Sequence, residues 1–174
     1  MTEDPNSGHN RLTNHTLPRR RSFVIGLLLA SSAWGVPAAT AAPAGCRDGD
    51  PLANVRDPGR LRVLRRCVSA TGVIRFAQRE NDGDVHMSLA VDRRYSYLLN
   101  DGNRHHHYGT LVVEIVPADQ SGCRKGERVQ YGKCTGAHVR TPGRGERVRV
   151  TGPWVLDQAH GWREIHPAWR IDRL

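Results

Sequence analysis

Histidines and carboxylates recur at short, fixed spacings from residue 84 onward in this 174-residue chain: Asp84-x-His86, Glu114 inside an apolar run, Asp157-x-x-His160 and Glu164-x-His166. Neutral imidazole and carboxylate oxygen are ligands for zinc, manganese or iron. A metal so held lowers the pKa of bound water and makes a nucleophile. Without a metal, His and Glu can still serve as general base and acid. The candidate functional set is Asp84, His86, Glu114, His160, Glu164 and His166. Within it, His86, Glu114, Glu164 and His166 form the metal-ligand set for a divalent transition metal such as zinc. Asp157 and His160 would add ligands or orient the histidines from behind. The same residue types also make ordinary cross-strand pairs, worth about 0.2–1 kcal/mol each. The pattern therefore marks a face, and no single catalytic residue is assigned.

Strand parity is what would gather these residues. Val85, Met87, Leu89 and Val91 alternate with polar or small residues, as in a half-buried strand. If they face the core, Asp84 and His86 face out. If Leu111, Val113 and Ile115 face in, Glu114 faces out. The same argument on Ile165, Trp169 and Ile171 turns Glu164 and His166 outward. The remaining elements follow from turn chemistry. A first strand starts at Cys67 and runs through Val68, Ala70, Gly72 and Ile74; Asp82-Gly83 marks a hairpin. A helical turn fits 92–99, a loop 100–103, a third strand 111–116 stopped by Pro117, and a long loop 118–136. A fourth strand starts at Arg147 and bends at Pro153; a fifth spans 162–171.

Five short strands in this order predict an all-β fold, a small OB-like Greek-key β-barrel with an N-terminal arm and a disulfide-bearing loop. A β-sandwich is the rival, since strand count alone does not separate the two. In an OB barrel the second strand pairs with the third and the third with the fifth. The candidate residues would then share one outer face, the usual ligand-binding side.

The N-terminal sequence reads as a targeting segment. Arg19-Arg20-Arg21-Ser22-Phe23-Val24 precedes the apolar run Val24–Ala30 and small residues around Ala39-Thr40-Ala41. This is the twin-arginine export pattern with an A-x-A cleavage site. Residues 1–41 are thus expected to be a disordered n-region plus signal, 42–66 the arm, and 67–174 the barrel domain. Pro43-Ala44-Gly45-Cys46 lacks the leucine of a lipobox, so no lipid anchor is expected, and no run is long enough to span a membrane. The expected location is secreted or extracytoplasmic.

Cys46, Cys67, Cys123 and Cys134 are an even set in an exported domain, which reads as a disulfide framework with three possible pairings. A zinc–thiolate site is the alternative, though no C-x-x-C pair is present. Residues 42–174 hold 22 basic and 15 acidic side chains, with two lysines among the basic ones. Such a surface attracts polyanions, and equally describes a merely solvated basic exterior. Nucleic acid would need a basic groove with stacking rings. Arg75, Arg79, Arg93, Arg94, Arg140 and Arg144 offer charge, and Phe76, Tyr95, Tyr97, Tyr108 and Trp162 offer rings, but aromatics are only 6% of the chain. His105-His106-His107 reads as a solvated polar loop that can bind metals opportunistically. No P-loop, Rossmann fingerprint or nucleophile elbow is present.

The motifs Gly83-Asp84-x-His86, Glu114-Ile115-Val116-Pro117, His160-Gly161 and Glu164-Ile165-His166-Pro167 form an ordered set over 67–172. In this the chain resembles a group of uncharacterised exported bacterial proteins with GD-x-H, E-I-x-P, H-G and E-I-H-P motifs on an OB-like pattern. The resemblance implies a shared site of His86, Glu114, His160, Glu164 and His166, and names no reaction. The expected function is an exported binding module for a small or polyanionic ligand. The alternative is a metal-assisted hydrolase, phosphodiesterase-like, using the same cluster.

Overall fold

The computed structural model describes residues 44–174, so the n-region and signal expected over 1–41 lie outside the described residues. The fold is mostly β. Six strands form the main sheet: β1 (Leu61–Arg79), β2 (Val85–Val91), β3 (Leu111–Ile115), β6 (Arg147–Asp157), β7 (Arg163–Ile165) and β8 (Arg170–Arg173). Between β3 and β6 lies a small hairpin of β4 (Arg128–Val129) and β5 (Gly132–Lys133). The sheet order is β1-β2-β3-β7-β6-β8, and β1 pairs again with β6, closing a ring. Among the paired strands of the described residues, β3 and β7 alone run parallel.

β1 is long enough to serve two neighbours. Its first part pairs with β6 from Leu61↔Asp157 to Val73↔Arg147, and its last part with β2 from Gly72↔Val91 to Arg79↔Val85. Gly72 sits where both partners meet. A Cβ there would stand 2.3 Å from the Ala90 carbonyl oxygen, so only glycine admits the approach. The first strand therefore begins at Leu61 rather than Cys67, and Leu61–Arg66 is strand rather than arm. Its alternating Leu61 and Val63 have β6 residues to pair with, which a local reading of an arginine-rich segment does not reveal.

The interior confirms the parity argument on its apolar side. Met87, Leu89, Leu111, Val113, Ile115, Val148, Val150 and Ile165 are wholly buried in one cluster with Val85, Ile74 and Ala70. A second, smaller cluster of Val55, Leu61, Val116, Ala118 and Val155 seals the opposite side of the β1–β6 ribbon.

β6 continues through Pro153 to Asp157, its neighbour changing there from β8 to β7 and its register with β1 slipping between Arg65 and Val68. Two elements differ from expectation. The expected fifth strand is two: β7 ends at Ile165, the His166–Pro167 bond is cis, and β8 then turns to pair with β6. And residues 100–103 open a short helix, α1 (Asp101–His106), because Asn100 and Asn103 cap each other's backbone N–H. The helical turn over 92–99 is a 3-10 helix, Arg93–Leu98.

The four cysteines pair locally, Cys46–Cys67 and Cys123–Cys134, and no free cysteine remains among the described residues, which removes the zinc–thiolate alternative. Two disulfides point to an oxidising, extracytoplasmic environment. No helix among the described residues is long and apolar enough to cross a membrane.

Candidate functional site

The ladder registers bring the motifs together. His86 lies opposite Glu114 across β2 and β3, and Glu164 on β7 lies beside Val112 on β3. His166 follows β7 at the point where the chain breaks away before Pro167, and Asp84 precedes β2. All five occupy the side of the sheet turned from the main core.

That side is not an open face, which corrects the expectation that these residues share an outer face. Asp84 is 2% exposed, Glu114 7%, Glu164 1% and His166 0%; His86 is half-buried. The cover comes from α1 with the segment that follows it, from the turn at Gly161, and from the arm that carries Arg56 and Arg60. Alternation along a strand sets direction, but burial depends on what else packs above it.

His166 is the hub. Its Nδ1 lies 3.0 Å from Glu114 Oε2 and 3.1 Å from Glu164 Oε2, and its Nε2 lies 3.4 Å from Asp84 Oδ2. Nε2 makes no hydrogen bond despite that ion-pair distance, and Asp84 Oδ1 is likewise without a partner. The outer oxygen of Glu164 accepts from Trp162 Nε1 at 2.7 Å. The outer oxygen of Glu114 lies 2.9 Å from His86 Nδ1.

The electrostatics follow from this packing. Burial alone would lower the His166 pKa, but Glu114, Asp84 and Glu164 raise it well above the ordinary value, so the ring is an imidazolium. Burial raises Glu114 too, yet His166 and His86 outweigh it and hold the carboxyl well below its usual range. Burial keeps Asp84 and Glu164 above theirs. For His86, burial lowers and Glu114 raises, with a net increase. His107 is lowered by burial and by the nearby His86.

The hydrogen-bond geometry orders donors along a continuous chain. His86 Nε2 lies 3.1 Å from His107 Nε2, and His107 Nδ1 lies 2.8 Å from Thr110 Oγ1. A protonated His86 donates to Glu114 and to a neutral His107. His107 then donates from Nδ1 to Thr110, whose hydroxyl donates to the His107 carbonyl at 2.8 Å. Sequence reasoning placed His107 in a solvated loop and missed this role. His105 and His106 are exposed on α1, while the third histidine turns inward at its end. The overlooked signal was the Asn100/Asn103 pair, which starts a helix and so sets the direction of each histidine.

Asn103 also ties α1 down. Its Nδ2 donates to the carbonyls of Thr110 and Arg163, and its Oδ1 accepts from Arg163 N–H, all at 2.9 Å. Gly102 sits against the Gly161 turn, where an added Cβ would be 2.1 Å from the Gly161 carbonyl oxygen. Gly102→Ala is therefore expected to push α1 off that turn at a cost of about 1–3 kcal/mol. Urea unfolding reads the loss, and a changed near-ultraviolet dichroism of Trp162 reads the local displacement.

His160 stands apart from the hub. It stacks on Trp162 with ring centres 4.6 Å apart, and its Nδ1 lies 2.8 Å from Asp157 Oδ2. Asp157 is wholly buried, pairs with Arg60 at 3.2 Å and caps the turn through the Ala159 and His160 N–H groups. Burial pushes the Asp157 carboxyl up, but the His160 side chain and N–H, Arg60 and the Ala159 N–H bring it below its usual value. A depressed carboxylate stabilises the fold above its unfolded pKa of about 3.9 and loses that contribution as the pH falls through the folded value. Asp157→Asn is expected to cost about 1–3 kcal/mol at pH 7. The gap between wild type and variant should close as urea unfolding is repeated below pH 4.

Above the cluster lies a pocket of about 310 Å³. Asp84, His86 and Glu114 form its floor, His160 and Trp162 one wall, and Arg56, Arg60, Glu80, Asn81 and Asp82 its rim. A larger open groove of about 810 Å³ runs on the other side of His86 and His107, past Arg75, Phe76, Tyr108 and Arg144. The β1 bulge between Ile74 and Phe76 turns Phe76 outward beside Ser88, where it is 45% exposed; Tyr108 is 95% exposed. Of the other rings offered as stacking platforms, Tyr97 is exposed with its edge against Trp154, Tyr95 packs on the core, and Trp162 is engaged by His160, His107 and Glu164.

No protein-family model matches the chain, and neither a curated protein nor a solved structure matches it.

Proposed function

We propose that this chain is an exported, OB-like binding module whose ligand is a small anion with hydroxyl groups, such as an acidic or phosphorylated sugar. The strand order, with a ring closed by β1 and β6 and a parallel β3–β7 pair, supports the OB-like reading. The twin-arginine pattern ahead of residue 42 supports export by the folded-protein route, in keeping with the two disulfides.

The observation that carries the ligand reading is the lining of the 310 Å³ pocket. Its size suits a small molecule. Arg56, which reaches Asp82 at 3.6 Å, and Arg60, paired with Asp157, have further N–H groups at the rim for an anionic group, while the buried carboxylates below can accept hydrogen bonds from hydroxyls. Titration calorimetry with glucuronate, glucose 6-phosphate and pyrophosphate tests it. At least one is expected to bind, more weakly as salt rises. Arg56→Glu, on a side chain 56% exposed, should leave the fold intact and reduce affinity at least tenfold. No binding of any probe, or equal binding by the variant, overturns the reading.

The hub favours a second reading, a metal-assisted hydrolase acting on phosphodiesters. His86, Glu114 and the pocket floor could position and activate a water. Turnover of bis(p-nitrophenyl) phosphate that disappears in Glu114→Gln, with folding retained, would select it over simple binding.

A further inference from the structure

Three carboxylates, Asp84, Glu114 and Glu164, are buried around one imidazole, and among the described residues no arginine or lysine pairs with any of them. Buried charge is expensive unless it is paired or coordinates a metal. One imidazole, that of His166, lies between all three, and His86 meets Glu114 from the pocket side without reaching Asp84 or Glu164. Two atoms remain unsatisfied in the middle of this cluster, Asp84 Oδ1 and His166 Nε2, on side chains 2% and 0% exposed. In native proteins such orphaned atoms ask for an unseen partner, and a cation satisfies an acceptor oxygen and an imidazole nitrogen together, the ring giving up its Nε2 proton as the ion binds.

We propose that Asp84, Glu114 and His166 hold one divalent transition-metal ion at the pocket floor, with zinc or manganese as the class. One ligand atom from each lies within 4.8 Å of the other two, so a single ion can reach all three with modest contraction. One nitrogen and two oxygens suit zinc, manganese or iron better than calcium or magnesium, which prefer oxygen alone. The set differs from the one read from sequence. Asp84 enters, because the hairpin before β2 folds it under His166. His86 and Glu164 move outward, where they orient Glu114 and His166 from behind, as groups around metal ligands do. The pocket opens over Asp84 and Glu114, which provides entry and a free coordination position.

The ion also answers a difficulty in the ligand reading above, on which its role rests. An acidic floor repels an anion, and a bound cation there turns the same floor into an anion receptor alongside Arg56 and Arg60.

The test is calorimetric titration of the untagged, disulfide-intact protein, stripped with chelator, with Zn²⁺ and Mn²⁺. Asp84→Asn and a His105→Ala/His106→Ala variant are run in parallel, and circular dichroism checks that each is folded. The Asn variant keeps the shape of Asp84 and removes its charge. The expected result is one equivalent of metal per chain, at least a hundredfold weaker in Asp84→Asn and unchanged in the double histidine variant. Cobalt substitution should give visible absorption that requires Asp84. No stoichiometric binding by folded wild type, undiminished binding by Asp84→Asn, or loss of binding with His105 and His106 overturns the proposal. Pyrophosphate titrated with and without metal separates the two readings. Metal binding without any anion binding keeps this site and removes the pocket reading. Anion binding by a protein that takes up no metal does the reverse.

Discussion

His166→Ala should be the most destabilising single substitution at the site, costing about 3–5 kcal/mol in urea unfolding at pH 7 with chelator present. The side chain is wholly buried, and its protonated ring lies within 3.4 Å of oxygens from Glu114, Glu164 and Asp84. Its removal leaves three carboxylates facing one another in a space closed to water. They must either remain ionised without a partner or take up protons, and both cost free energy. The cavity left by the ring adds to the loss. Glu164→Gln should behave differently. It keeps one acceptor oxygen for Trp162 Nε1 and lowers the surplus of negative charge, while His166 Nδ1 keeps Glu114 as its partner. Its cost should fall well below that of His166→Ala. If the two variants were equally destabilised, the imidazolium would not be the element that makes the cluster tolerable.

Opening both disulfides should have the other large effect. Cys46–Cys67 spans 21 residues and Cys123–Cys134 spans 11, and in the chain-entropy account each restrains the unfolded chain by about 3 kcal/mol. Together they approach the whole stability of a typical domain, about 5–15 kcal/mol. A reduced and alkylated protein should be largely unfolded at 37 °C by circular dichroism. The two bonds should separate in function. Cys46–Cys67 ties the 44–60 segment to β1, and that segment carries Arg56 and Arg60 over the pocket and Arg47, which pairs with Asp119 at 2.7 Å. A Cys46→Ala/Cys67→Ala variant should lose pocket binding as well as stability. A Cys123→Ala/Cys134→Ala variant, in the β4–β5 hairpin loop that meets the pocket through Tyr131 against Arg56, should lose stability with a smaller loss of binding. Equal binding losses would mean that the arm does not help build the pocket.

Much of this architecture was legible before any coordinates. The alternation of Val85, Met87 and Leu89 with His86 and Ser88, and of Leu111, Val113 and Ile115 with Glu114, is a local signal: consecutive side chains on a strand point to opposite sides whatever surrounds them. The same rule put His86 and Glu114 on one side, where they now pair across the ladder. Asp-Gly at 82–83 announced the hairpin, and four cysteines announced the staples.

Local periodicity thus set which residues face away from the core and which elements carry them. Long-range packing set how deep they lie and which of them meet. Burial of Glu164 and His166, the inward turn of His107, the separation of His160 and the partnership of Asp84 with His166 all depend on segments distant in the chain. Arg60 reaches Asp157 across the arm, Asn103 pins α1 to Arg163, and the break at Pro167 swings His166 beneath Asp84. Periodicity records the direction of a side chain because direction is set by the backbone of its own strand. It cannot record solvent access, because access is set by whatever packs above.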